Sequence, residues 1–338
     1  MKKIILVLII LLSSGCYDYK ELNRNNLAVG MAIDYQEEKY LITLELIKIS
    51  KEEISSFYVD ASGENISDAI KNINLKSDKI PLLSHIKVFL ISQNVIDKLP
   101  EITDYFIRDI NIHSEFNPIV TFDNPKDILK SHTISNTTSN HIAELIQEKT
   151  NSNKTLFINN YLNHLKDNYL YLLDLKDDNI VLKGIIFTKD KSIYDVYTLK
   201  FLNILSCNNN DIILTTTSDN KTISIKINKI SRKINIDNNK LYLTYNINSS
   251  IIEDNTLKDL KDEHNFRVIE DIFNKYLNNE LNKTYNSFKD KDLDPLGIKD
   301  ILNKKYNHVY DYKSLDYEIS TNININKNGL IFGGLNEQ

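Results

Sequence analysis

The chain of 338 residues carries 41 Lys and Arg against 46 Asp and Glu, a formal net charge of −5, with 41% hydrophobic and 26% charged residues. That composition folds around apolar cores, and the length calls for more than one of them, since single cores stop growing near about 250–300 residues. Charges of both signs are interspersed and the 8 Gly fit neither GxGxxG nor GxxxxGK[ST], which excludes a nucleic-acid partner and the phosphate cradles of Rossmann and P-loop folds.

Lys2 and Lys3 precede an apolar run from Ile4 to Leu12, far short of the ~20 residues of a membrane-spanning helix. A short apolar region behind basic residues is an export signal. Leu12-Ser13-Ser14-Gly15-Cys16 then sets small residues before the first cysteine, as in a bacterial lipobox, with Ser13 where an aliphatic residue is usual. The expectation is removal of residues 1–15, acylation of Cys16 and attachment to a lipid bilayer; the bland reading is an ordinary cleaved signal with a cysteine nearby. Losing residues 1–15 removes two lysines and no acid, taking the net charge from −5 to −7, so the acyl chains alone would have to hold the protein on anionic lipid. Cys207 would be the single remaining thiol, which leaves no intramolecular disulfide. About ten residues separate Cys16 from the first strand, a reach of at most ~35 Å, which keeps the first domain close to the membrane.

Leu27–Asp34 and Tyr40–Ile49 read as a hairpin turned by residues 35–39. Ile66, Ala69, Ile70 and Ile73 recur at helical spacing before a strand at 86–91, and Ile102, Tyr105, Phe106 and Ile110 mark a helix that starts after Pro100 and has Arg108 and Asp109 near its end. A short strand at 119–122, a one-turn helix at 125–130 and helices at 139–149 and 157–175 follow. Residues 181–188 and 193–198 form a second hairpin around Lys189-Asp190-Lys191, then a short helix through Leu202 and Leu205, then a loop and hinge at Asn208-Asn209-Asn210-Asp211. From Ile212 to Ile252 apolar residues alternate as in meandering antiparallel strands, residues 257–288 form a long helix and 315–326 a final strand. The expected fold class is therefore α+β: mixed sheets with packed helices, ending in an antiparallel sheet with one long helix. The expected division is a signal peptide at 1–15, an N-terminal α+β domain at 16–178, a small middle domain at 179–210 and a C-terminal α+β domain at 211–338.

Seven scattered histidines show no HxxH or HExxH spacing, so no metal site and no cofactor is expected. GxSxG is absent, Cys207 has no obvious catalytic partner, and adjacent acids such as Glu253-Asp254 are common by chance in an acidic chain.

The stretch Cys16-Tyr17-Asp18-Tyr19-Lys20-Glu21-Leu22 resembles the Cys-Trp-Asp-x-Arg-Glu-Leu start of the Ger(x)C lipoproteins, the C subunits of spore nutrient germinant receptors, with Tyr17 and Lys20 departing from it. Gly30-Met31-Ala32-Ile33-Asp34, Ser84-His85-Ile86-Lys87-Val88, Asp104 with Arg108-Asp109, Lys183-Gly184-Ile185-Ile186-Phe187 and Asp294-Pro295-Leu296-Gly297 match in order along the chain. The resemblance implies a three-domain, non-enzymatic ectodomain on the outer face of the spore inner membrane, needed for the germination response. It would act by assembly with two integral membrane subunits, the A and B types. It also singles out His85, Arg108 and Asp109 as candidate binding or interface residues, with ion pairing and helix capping as the bland role for the last two. A solute-binding lipoprotein of a transporter is the alternative, and it would show two lobes of repeated βαβ units.

Overall fold

The structure is a computed structural model, and it describes residues 25–49, 54–109, 118–131, 137–150, 167–177, 179–208, 212–218, 221–255, 263–306 and 312–326. The signal segment, Cys16 and the hinge residues 209–211 lie outside these.

Strands β1 (Asn25–Gln36) and β2 (Lys39–Ile49) form the expected antiparallel hairpin. Glu37 and Glu38 turn it, both at positive φ, which matches the twist of a two-residue hairpin. Strand β3 (Ile54–Gly63) pairs antiparallel with β2. Helix α1 (Ile66–Lys76) follows, its Asn65 cap accepting the Asp68 N–H at 2.9 Å. The chain then returns through β4 (Ile80–Leu82) and β5 (Val88–Ser92), both parallel to β1, and through α2 (Leu99–Arg108), with Pro100 in its first turn. β6 (Pro118–Thr121) lies parallel to β5, followed by α3 (Pro125–Lys130) and α4 (Thr138–Thr150).

β7 (Tyr169–Lys176) lies parallel to β6 and β8 (Asn179–Phe187) antiparallel to β7. This corrects the expected helix at 157–175, whose described C-terminal part is strand. Tyr169-Leu170-Tyr171-Leu172-Leu173 is a short apolar run with no polar face, and periodicity cannot separate a buried strand from a buried helix there. β9 (Ile193–Asp195) completes the sheet, whose order is β3-β2-β1-β5-β6-β7-β8-β9 with β4 beside β1. The expected arm at 193–198 is shorter because the Asp195 side chain accepts the Thr198 N–H at 2.8 Å and starts α5 (Val196–Leu205).

β10 (Ile213–Ser218), β11 (Lys221–Asp237) and β12 (Lys240–Asp254) form the antiparallel meander, but β13 (Asp316–Ile325) joins β12 in parallel, which corrects the expected antiparallel sheet to a mixed one. The long helix α6 (Glu263–Lys289) and a second helix α7 (Ile298–Tyr306) lie between β12 and β13 in sequence. Two mixed sheets with packed helices make this an α+β fold.

Side chains of β1 and β5 alternate between two cores, as a sheet covered on both faces requires. Met31, Ile33, Phe89 and Ile91 face α1 and α2. Ala32, Val88 and Leu90 belong to a larger core that runs through α3, α4 and α5 to the second sheet and α6.

Candidate functional site

Two of the three body residues singled out by the resemblance meet at one cleft. Asn65, Ile66 and Ser67 at the start of α1, Tyr40 at the start of β2, and Glu101, Asp104, Tyr105, Arg108 and Asp109 of the α2 region line a cavity of about 470 Å³. Hydrophobic packing sets this geometry: Ile66, Ala69 and Ile70 on α1 and Leu99, Ile102 and Phe106 on α2 enter the same core, leaving the polar faces of both helices toward the gap.

Within the cleft the Tyr40 hydroxyl donates to Glu101 Oε2 at 2.5 Å, and Lys98 Nζ donates to Glu101 Oε1 at 3.0 Å. The Tyr40 hydroxyl first and Lys98 second hold the Glu101 carboxyl below its usual range. Tyr40 and Tyr105 are both raised, by burial and then by the carboxylates they donate to, Glu101 and Asp109. Arg108 Nε is held by both oxygens of Asp104 at 2.8 and 2.9 Å, one helical turn away, and the Asp109 N–H closes the helix on the Tyr105 carbonyl. The phenols are firmly protonated and Glu101 firmly ionised, so the cleft offers hydrogen bonds and charge rather than a nucleophile or a base of intermediate pKa. His85 stands apart: it is exposed at the end of a 3-10 turn before β5 and does not line the cleft. Among the described residues no group of three His, Cys, Asp or Glu side chains converges to hold a metal ion.

A second polar constellation was not read from the sequence. Glu45, fully buried on β2, accepts the backbone N–H groups of Thr138 and Ser139 at 2.9 Å each, and also the Ser139 hydroxyl. It thereby caps the N-terminus of α4, where orphan donors and the helix dipole both favour a carboxylate. Gly30 makes room for this: a Cβ there would stand 1.9 Å from Ser139 Oγ. The available signals were an acid inside the apolar run Ile42–Ile47 and the Thr137-Thr138-Ser139 start of α4.

The turn Lys189-Asp190-Lys191 ties three parts of the chain together. Lys191 Nζ reaches Asp97 at 2.6 Å, just ahead of α2, while Lys189 Nζ reaches Asp292 Oδ2 at 3.2 Å and Asp167 at 3.6 Å. Asp294, buried, caps α7 by accepting the Ile298 and Lys299 N–H groups at 2.9 and 2.8 Å. Burial pushes its carboxyl up, against the pull of those two amides.

Two family models match the chain in order: "Spore germination protein N-terminal domain" over residues 18–173, and "Spore germination B3/ GerAC like, C-terminal" over residues 184–329. The break between them falls in the β7–β8 hairpin, inside the continuous first sheet. The chain is 21% identical to the spore germination protein GerQC of Bacillus cereus, over 98% of this chain and 99% of that protein. Its fold is similar to the crystal structure of the GerBC protein, with a TM-score of 0.54 at 15% identity, covering 91% of this chain and 99% of that one.

Proposed function

Because the chain belongs to the GerAC-like spore germination protein family, we propose that it is the C-type subunit of a spore nutrient germinant receptor and acts by assembly rather than by catalysis. The observation that carries this reading is the pair of family matches, which follow one another over nearly the whole body of the chain. On this reading, acylated Cys16 holds the body on the outer face of the spore inner membrane, beside integral membrane subunits of the A and B types. No helix of the described residues is long and apolar enough to cross a membrane, which fits attachment through lipid. The cleft with Arg108 and Asp109 and the exposed His85 are candidate contact points with those subunits. We place domain boundaries near residues 178 and 210, with 179–210 as a small middle domain whose β8 and β9 pair onto the first sheet and whose α5 packs into the core shared with the second. The solute-binding alternative draws no support, because the two matched parts differ in topology instead of repeating a βαβ lobe.

Deleting the gene tests the proposal. Spores without the chain are expected to lose nutrient-triggered germination through this receptor while still responding to non-nutrient triggers. Deletion spores that respond like the parent to every nutrient would overturn it.

A further inference from the structure

Helix α6 covers one face of the four-stranded sheet, burying Leu243, Tyr245, Ile247, Ile319 and Ile323. The opposite face is turned to solvent and has an unusual composition. β12 presents Thr244, Asn246 and Asn248 there, and β13 presents Ser320, Asn322 and Asn324 in register with them. In a chain with 26% charged residues, no charge stands at any outward position from Tyr242 to Ser250 or from Ser320 to Asn324. Charge is confined to the border, where on β11 Lys226 stands opposite Ser250, Lys229 opposite Asn248 and Lys233 opposite Thr244, with Asp237 opposite Lys240 at the far end. Neither Lys229 nor Lys233 is paired with a carboxylate among the described residues, whereas Lys240 at the sheet end holds Glu318 at 2.8 Å. Depletion of charge at the centre is one compositional mark that separates interfaces from ordinary surface.

Two features define the mode of contact. The central side chains are already fixed to one another, Asn322 Nδ2 to Asn246 Oδ1 at 3.2 Å and Ser320 Oγ to Thr244 Oγ1 at 3.2 Å, so docking orders few rotamers. The outer edge of β13 is occupied, because its Ile323 and Ile325 N–H groups donate to Asn274 and Glu270 of α6. A partner therefore approaches the face and does not add a strand. At ~3.3 Å per residue and ~4.8 Å per strand the platform of β11, β12 and β13 measures roughly 30 by 14 Å, or about 400 Å², about half of the ~800 Å² per partner of a standard interface.

We infer that this face docks an acid-bearing protein surface, whose carboxylates meet Lys229 and Lys233 around an amide- and hydroxyl-bonded centre. The inference deepens the assembly role proposed above and rests on it for the need of a partner. It is tested by placing a photo-crosslinking amino acid at Asn248, at Asn322 and, as control, at exposed Lys71 of α1 in the full-length chain of sporulating cells. The expected result is a light-dependent adduct with another polypeptide at Asn248 and Asn322 but not at Lys71, weakened roughly tenfold by combined K229E and K233E. Both lysines lie on the surface, and an unchanged melting temperature of the double variant shows that the fold is intact. No adduct at the face, an adduct with lipid, glycan or a second copy of this chain, or an adduct indifferent to the lysine reversal overturns the inference. The gene deletion separates the two claims: impaired germination without a face adduct removes the inference and leaves the receptor reading standing, whereas normal germination removes the reading.

Discussion

Replacing Glu45 by Ala removes the acceptor of two buried backbone N–H groups and of the buried Ser139 hydroxyl. Each stranded buried donor costs about 1–3 kcal/mol, so stranding three of them in E45A should cost about 3–5 kcal/mol once the site relaxes. Against a total stability of about 5–15 kcal/mol this is a large fraction. E45Q keeps the shape and one acceptor oxygen and should lose about half as much. Gly30→Ala attacks the same contact from the other side. The added methyl would meet Ser139 Oγ at 1.9 Å, but after S139A its nearest neighbours are Leu129 Cδ1 at 3.0 Å and the residue 139 Cβ at 3.1 Å. The double variant G30A/S139A should therefore be less destabilised than the sum of the single ones by at least ~1 kcal/mol. Urea unfolding followed by circular dichroism measures all five variants, S139A included, and hydrogen exchange localises the loss to α4. A cost below ~1 kcal/mol for E45A, or strict additivity of G30A and S139A, would refute the argument.

Asn274→Ala should expose the edge of β13, since Asn274 Oδ1 accepts both the Ile323 N–H and the Thr321 hydroxyl at 3.0 Å; a loss of about 1–3 kcal/mol with faster exchange at Ile323 is expected, and unchanged exchange there contradicts it. Gly184→Ala should distort the β8–β9 pairing, because Gly184 sits at φ +153° and a Cβ would stand 2.0 Å from the Tyr194 carbonyl oxygen; a melting temperature equal to wild type speaks against this. The depressed pKa of Glu101 means that its contribution is present above the ordinary carboxylate value and lost as pH falls through the folded value. E101Q should thus lose less stability than wild type between about pH 5 and about pH 3, and parallel melting profiles would contradict that.

Much of the architecture was legible locally. The β1–β2 hairpin, the stripes of α1 and α2, and the β10–β12 meander all follow from apolar periodicity of 2 or 3.6. β7 was misread because a run buried on both faces loses its period. The parallel pairing of β13 with β12 brings together residues some 76 positions apart, as Lys240 and Asp316 show, and nothing in the local sequence of either strand encodes its neighbour. The cleft was legible at Arg108 and Asp109, with Asp104 matched beside them. Tyr40 and Glu101 join it because α1 and α2 pack on the same face of the first sheet, which is a tertiary fact. Glu45 was missed because an acid at an apolar strand position marks a buried partner without saying which one.

The most direct test of a membrane-held assembling subunit is to extract the full-length chain from spore membranes in mild detergent and follow what purifies with it. The chain should sediment with membranes, carry palmitate on Cys16 and elute together with two integral membrane proteins, all three properties being lost in C16A. A chain recovered unlabelled from the soluble fraction and migrating alone would contradict it.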